Sequence, residues 1–291
     1  VVPLNDGQVG LAVLGSPIKH SISPQLHNAA IVELASRLPS FSNWVYHKIE
    51  VDAQSLASAL PHLAQCGYRG LNLTIPHKVE VFSMIDSIDK EARNIGAVNT
   101  LWNNGSEWLG FNSDGYGLER ALVNHFNISL SSASILILGA GGAARAAAAQ
   151  SLSRGCERIW IGNRSSGRLQ NMMQALGESF DLDCMVPFEI SMIPREILEK
   201  ESVVIINATS LGLSKEDSSP ISLKGFPKSA KVYDMIYNPA ETPLLKEAKS
   251  MGMVCENGLS MLVYQAVRSL EIWTQEKISA EAMFAAARTA L

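Results

Sequence analysis

Three short segments carry residues whose types and spacing could do chemistry. The first has glycines at 139, 141 and 142, Ala144 in the third spaced position of a GxGxxA pattern, and Arg145 beyond it. Residues without a Cβ let a backbone approach a pyrophosphate, and a following helix turns its N–H groups and positive dipole end toward the anion. Ordinary glycine-rich loops can match such a pattern, so its context matters. Here the apolar run Ser134–Leu138 precedes it and an alanine-rich stretch to about Ser153 follows, which reads as strand, tight turn and helix. About 20 residues past the first glycine, where a dinucleotide unit meets the ribose, stand Asn163, Arg164, Ser165, Ser166 and Arg168. An acidic residue there would hold a 2′-hydroxyl, whereas two arginines and two hydroxyls suit a 2′-phosphate, so NADP is favoured over NAD.

The second segment places Ser21 and Ser23 on the way into a helix. Ser23 before Pro24 reads as an N-cap with proline at the first helical position. Two hydroxyls at a helix N-terminus can also donate to a carboxylate without a fixed cation. Capping accounts for Ser23 and leaves Ser21 unexplained. In the third segment, Gly70 to Lys78, strand alternation puts Asn72 and Thr74 on one face and Leu71, Leu73 and Ile75 on the other, until Pro76 ends the strand. Polar groups thus converge at a strand's carboxyl end with Lys78 just beyond, where ligands of open α/β sheets bind. Taken alone, Lys78 reads more readily as a solvated surface lysine than as a catalyst.

The elements that must position these residues alternate along the chain. Strands are expected near Gly10–Leu14, Val45–Val51, Gly70–Ile75, Ala97–Trp102, Ser134–Leu138 and Arg158–Ile161. Helices are expected near Ser23–Ala35, Ser55–Gln65, Lys78–Met84, Gly115–His125 and after the glycine turn. This order predicts an α/β fold with largely parallel sheets. At 291 residues, 47% hydrophobic and 18% charged, the chain is large enough for two domains and too apolar for disorder. A formal charge of -4, with no Lys/Arg-rich run, gives no footprint for nucleic acid and points to small-molecule partners. The four cysteines stand singly with no CxxC pair, so reduced, mostly buried thiols are expected rather than disulfides or zinc ligands. No apolar run reaches the roughly 20 residues of a membrane span, and no basic stretch followed by an apolar core opens the chain. A soluble, cytoplasmic protein is the expectation.

These segments, together with Gly96–Leu101, Gly110–Gly115, Asn207–Gly212, Asp234–Pro239 with Thr242 and Pro243, and Gly258–Gln265, resemble the shikimate dehydrogenase family over nearly the whole chain. The resemblance implies an NADP-dependent oxidoreductase that reversibly reduces 3-dehydroshikimate to shikimate in the shikimate pathway of aromatic amino acid biosynthesis. It implies two α/β domains: a substrate domain of residues 1–114 plus 258–291, and a Rossmann-like, doubly wound NADP-binding domain of residues 115–257. A cleft between them would close on a hinge. By position, Ser21, Ser23 and Tyr237 would hold the substrate carboxylate. Asn72, Thr74, Asn99, Asp114 and Gln265 would hold its hydroxyls, with Lys78 catalytic and supported by Asp114. Gly139, Ala140, Gly141, Gly142 and Ala143 would form the pyrophosphate turn. Asn163, Arg164, Ser165 and Arg168 would meet the 2′-phosphate, and Thr209, Leu213 and Gly258 the nicotinamide half.

Asn99 and Asn207 are equally readable as turn-forming asparagines, and Asp234 reads as structural. No histidine has a spacing that implies a metal, and His77 is taken as structural or surface. Ser113 stands where the family usually has Thr, and His77 where an aromatic is common. Both departures leave room for a relative that uses quinate or aminoshikimate, so a quinate/shikimate dehydrogenase is the enzymatic runner-up. A ligand sensor without turnover is the other class, against which Lys78 and Asp114 are both present. A homodimer is an assembly left open.

Overall fold

The computed structural model describes residues 2–291, which divide into two compact units: the chain up to Ser113 together with Val263–Leu291, and Asp114–Leu262. The first unit holds a six-stranded sheet of β1 (Val9–Gly15), β2 (Trp44–Glu50), β3 (Tyr68–Leu73), β4 (Ser87–Ile88), β5 (Thr100–Asn103) and β6 (Trp108–Phe111). Its order is β2-β1-β3-β5-β6-β4. β1 pairs in parallel with β2 and β3, but β5 runs antiparallel to both β3 and β6. β4 pairs in parallel with β6, so the sheet is largely parallel as expected, with β5 the one reversed strand. The cause is the short loop from β5 to β6, where Asn104 Oδ1 accepts from the N–H groups of Ser106 and Glu107 and Gly105 sits at φ +104°. A connection that short can only join antiparallel strands.

Helices α1 (Ser23–Arg37), α2 (Leu56–Gln65), α3 (His77–Glu80) and α4 (Lys90–Ile95) complete the early part of this unit. The helix expected over Lys78–Met84 is shorter: α3 ends at Glu80 and gives way to a 3₁₀ turn at Val81–Ser83. The N-cap assignment of Ser23 is also corrected. α1 begins at Ser23 itself, Ile22 is in the cap position, and no side chain caps it. Ser21 takes over part of that task, its Oγ accepting from the Ser23 N–H at 3.3 Å. Leu14, Leu56, Leu63, Leu71, Leu73 and Leu101 are among the buried side chains that form the core on which the strand ends rest.

The second unit is a fully parallel sheet of β7 (Ser134–Leu138), β8 (Arg158–Asn163), β9 (Met185–Glu189), β10 (Val204–Asn207), β11 (Lys231–Asp234) and β12 (Val254–Asn257). Its order, β12-β11-β10-β7-β8-β9, is the 3-2-1-4-5-6 arrangement of dinucleotide-binding folds counted from β7. Strands covered on both faces read as continuous apolar runs, and every residue of β7 and β10 is buried. The helices are α5 (Asp114–Phe126), α6 (Gly142–Ser153), α7 (Ser166–Gly177), α8 (Arg195–Leu198) and α9 (Pro243–Ser250). α10 (Leu259–Thr274) starts here and continues into the first unit, which also holds α11 (Glu281–Ala290).

The four cysteines are free thiols, of which only Cys156 is buried, fewer than expected. Among the described residues, no helix is long and apolar enough to cross a membrane, and no group of three or more His, Cys, Asp or Glu side chains could hold a metal ion.

Candidate active site

In the first unit, polar side chains from five elements join into one line. The Ser21 hydroxyl lies 3.2 Å from Ser23 Oγ, and Ser23 stands beside the phenol of Tyr46 on β2. Burial pushes that phenol well above its ordinary range, with Ser23 working the other way. The Tyr46 hydroxyl donates to Asn72 Oδ1 at 2.8 Å. Asn72 Nδ2 then faces Ser269 Oγ at 2.9 Å, Thr100 Oγ1 at 3.2 Å and the Asn99 carbonyl at 3.3 Å. Asn99 Oδ1 accepts from the Ser113 N–H at 2.8 Å and from Thr100 Oγ1 at 2.9 Å, and the Ser113 hydroxyl lies 3.4 Å from Gln265 Oε1. Ser21, Ser23, Asn72, Asn99 and Gln265 are thus brought together.

Thr74 and Lys78 are fixed through the backbone just past β3. The Thr74 carbonyl accepts from the His77 N–H at 2.8 Å, and the Lys78 carbonyl accepts from the Val98 N–H at 2.8 Å, one residue before Asn99. Lys78 is partly buried. The His77 ring is fully buried with Nε2 2.8 Å from the Val51 carbonyl, so it fastens α3 to the end of β2, in agreement with a structural role.

Tyr46, Thr100 and Ser269 are members of this network that the sequence reading missed. Tyr46 looked like any aromatic of a buried strand. Ser269 had a usable signal, since it lies four residues after Gln265 and so on the same helix face.

His27, one helical turn after Ser23, is fully buried and stacks on Tyr46 with ring centroids 4.1 Å apart and planes within 1°. Among the described residues, neither ring nitrogen has a hydrogen-bond partner. Burial pulls its pKa down to about 3, with the adjacent Asn72 working the other way. A histidine kept neutral in the fold takes up its proton only on unfolding, so stability present above the ordinary pKa of 6.5 is lost as pH falls from there toward about 3. Over that span the loss amounts to roughly 4–5 kcal/mol. Denaturant unfolding at pH 7 and pH 4.5 should show a steeper loss in the unmodified chain than in His27→Phe; equal losses would mean His27 is not held neutral.

In the second unit, the carboxyl ends of β7 and β10 form the switch point of the sheet. Gly139 has φ +115°, and a Cβ there would lie 2.9 Å from the Ala208 carbonyl oxygen, so only glycine serves. Gly141, in contrast, has open space where a Cβ would be, and the start of α6 has no side-chain cap. The N–H groups of the first turn, with Gly142 and Ala143, therefore face an uncovered space suited to an anion, and Ala140 is partly exposed beside it.

At the end of β8, Asn163 Nδ2 donates to the Ser165 carbonyl at 3.0 Å, and Ser165 Oγ caps α7 by accepting from the Arg168 N–H at 3.3 Å. The Arg164 and Arg168 side chains are exposed, and among the described residues neither guanidinium has an ion-pair or hydrogen-bond partner.

Arg145 was missed as a candidate. It lies in the first turn of α6, partly buried and likewise without a partner among the described residues, and burial lowers its pKa. A cation at the positive end of a helix dipole is unfavourable unless an anion joins it.

Asn207 is a turn-former: its Oδ1 accepts from the Thr209 N–H at 3.0 Å and from Thr209 Oγ1 at 2.7 Å, while its Nδ2 donates to Asp234 Oδ1 at 3.0 Å. Asp234 also accepts from Thr242 Oγ1 at 2.6 Å and from the Ile236 N–H at 3.1 Å, so its role is structural as read. The Thr209 hydroxyl is spent within the turn, and Leu213 is 55% exposed. At Gly258 a Cβ would overlap the Met235 carbonyl. Tyr237 is partly buried, which pushes its phenol up, and Asp114 is buried at the first position of α5.

Residues 13–101 match the family model of the shikimate dehydrogenase substrate binding domain, and residues 258–288 that of the shikimate 5′-dehydrogenase C-terminal domain. A shikimate dehydrogenase (NADP(+)) of Geobacter metallireducens is 37% identical over 91% of this chain and 90% of its own. The chain belongs to the shikimate dehydrogenase family. Another member, from Alkaliphilus oremlandii, is 38% identical with 90% of each chain covered. Among solved structures of the family, the Thermus thermophilus shikimate 5-dehydrogenase in complex with NADP(H) and shikimate superposes with a TM-score of 0.84 at 32% identity, covering 98% of this chain and all of that one. Ser21, Ser23, Asn72, Thr74, Lys78 and Asn99 all fall in the first matched segment of the family models, and Gly258 and Gln265 in the second.

Proposed function

We propose that this family member is an NADP-dependent shikimate dehydrogenase that reversibly reduces 3-dehydroshikimate to shikimate, with substrate taken by the first unit and NADP by the second. The observation that carries this reading is the connected polar line from Ser21 to Gln265, whose candidate ligands lie within the two matched family segments. The open first turn of α6 behind a glycine that must be glycine supports a pyrophosphate site, and the two unpartnered arginines after β8 support a 2′-phosphate. Bound NADPH would supply the hydride, and NADP would accept it in the reverse direction.

The protein's own groups do the rest. Ser21 and Ser23, with Tyr237, donate to the substrate carboxylate, while Asn72, Thr74, Asn99, Asp114 and Gln265 orient the hydroxyls. Charge that builds on the ketone oxygen during reduction is met by Lys78, which donates a proton to it and regains one from water. Asp114 accepts from the same hydroxyl and orients the lysine. In oxidation Lys78 is the base. A cytoplasmic location goes with this reading, since the thiols are free.

Incubation of the protein with NADPH and 3-dehydroshikimate, followed by chromatography of the product, tests the reaction directly. Formation of shikimate with equimolar loss of NADPH is expected. Tight ligand binding without any product would move the protein to the sensor class.

Two results should accompany turnover. Replacing Ser21 and Ser23 together by Ala should weaken shikimate binding at least about tenfold, because hydrogen bonds to a charged group contribute about 1.5–3 kcal/mol each. NADP affinity should be nearly unchanged, and parallel loss of both affinities would instead point to misfolding. Arg145→Gln should weaken NADP and NAD by a similar factor of about ten or more, because the pyrophosphate is common to both. Fluorescence titration with each dinucleotide checks this: a loss confined to NADP would reassign Arg145 to the 2′-phosphate, and no loss would remove it from the site.

A further inference from the structure

Asn72 has more internal partners than a residue whose sole task is to meet a ligand would need. A carboxamide is nearly symmetric in shape, so its orientation is decided by hydrogen bonds rather than by packing. Here both hydrogens of Nδ2 are absorbed by three acceptors, Ser269 Oγ, Thr100 Oγ1 and the Asn99 carbonyl, all within 2.9–3.3 Å. Oδ1 receives one bond, from the Tyr46 hydroxyl at 2.8 Å. A carbonyl oxygen can accept two, so the unused capacity of this amide is a single lone pair.

The Asn99 carbonyl, which can only accept, selects the Nδ2 end of the amide, and Tyr46 supports the same polarity by giving its one phenol proton to Oδ1. The phenol is held in place from the other side, where the His27 ring lies parallel at 4.1 Å on a fully buried face. Trp273 closes round both rings at 5.5 Å and 6.1 Å. An imidazole with two unpartnered nitrogens is a poor choice for this place on solvation grounds alone.

We infer that Tyr46, clamped by the His27 stack, is a positioning residue that helps hold Asn72 as an acceptor, so that the site selects a substrate hydroxyl able to donate at that point. The inference rests on the proposed function only in taking Asn72 to face the substrate. If the amide could flip, the same position would offer N–H groups instead and would tolerate a carbonyl in place of the hydroxyl. The Asn99 carbonyl and the Tyr46 proton together oppose that flip.

The test compares Tyr46→Phe, His27→Ala, His27→Phe and Asn72→Ala in shikimate oxidation. Tyr46→Phe and His27→Ala should each raise KM for shikimate about tenfold, with kcat within about twofold of the unmodified enzyme and KM for NADP unchanged. His27→Phe, which restores a ring to stack, should recover most of the KM lost in His27→Ala. Adding Tyr46→Phe to Asn72→Ala should produce no further rise. Independently of turnover, the side-chain amide signals of Asn72 in a ¹⁵N-labelled protein should be slow to exchange with solvent in the unmodified chain and faster by about tenfold or more in Tyr46→Phe. Unchanged KM and unchanged amide exchange in Tyr46→Phe, or a rise in KM that is fully additive with Asn72→Ala, would overturn the inference. If the unmodified chain neither binds nor oxidises shikimate, the proposed function fails, and the amide exchange still decides the role of Tyr46.

Discussion

Lys78→Ala is expected to lower kcat by roughly two to four orders of magnitude, the range for loss of a positioned acid or base. Its Kd for shikimate should change far less. A group that serves the charge developing on the reacting oxygen contributes to the transition state more than to the bound ground state, so the loss falls on the chemical step. Asp114→Asn should resemble it without copying it. The amide can still hydrogen-bond a hydroxyl but no longer carries the negative charge that attracts and orients the lysine, so binding and rate should both suffer. The double variant should fall well short of the sum of the two losses if the residues act as one unit. Single-turnover rates and calorimetric shikimate titrations on the three variants measure these quantities. A large loss of binding with kcat preserved would reduce Lys78 to a substrate-holding residue.

Replacing Arg164 and Arg168 together by Ala should raise KM for NADP by about a hundredfold and leave KM for NAD within about twofold. Each contact to a phosphate is a charge-assisted hydrogen bond, about 1.5–3 kcal/mol where well formed. Both side chains are exposed, so screening by solvent and salt keeps the pair toward the low end of that range. Asn163 and Ser165 are held by their own turn, so removing the arginines should leave the start of α7 intact. Steady-state kinetics with each cofactor check the asymmetry. An equal rise for NADP and NAD would place the arginines on a part of the dinucleotide common to both.

How far these features were legible in the sequence depended on how local their causes are. The glycine turn, the strand before it and the arginines after β8 follow from a handful of neighbouring residues, and the parallel sheet puts them where the pattern said. The hairpin of β5 and β6 was missed, although the turn residues Asn104 and Gly105 were there to be read. Ser23 looked like a helix cap because Pro24 follows it, yet Ser21 takes the local N–H and helix α1 begins one residue earlier. The network around Asn72 was the least legible part. It joins β2, β3, β5 and α10, with Ser269 lying 197 residues from Asn72 in the chain, and only the folded topology brings such polar groups into contact. Arg145 was hidden for a different reason: its meaning lies in the absence of a counter-ion, which no sequence pattern displays.

A chain that moves hydride between NADP and shikimate must discriminate both its substrate and its cofactor. The most direct measurement is kcat/KM for oxidation of shikimate and of quinate, each with NADP and with NAD. The highest value is expected for shikimate with NADP, lower values for shikimate with NAD and for quinate with NADP, and the lowest for quinate with NAD. A highest value in any quinate combination would make the protein a quinate dehydrogenase that tolerates shikimate, and absence of turnover in all four with shikimate still bound would contradict the claim outright.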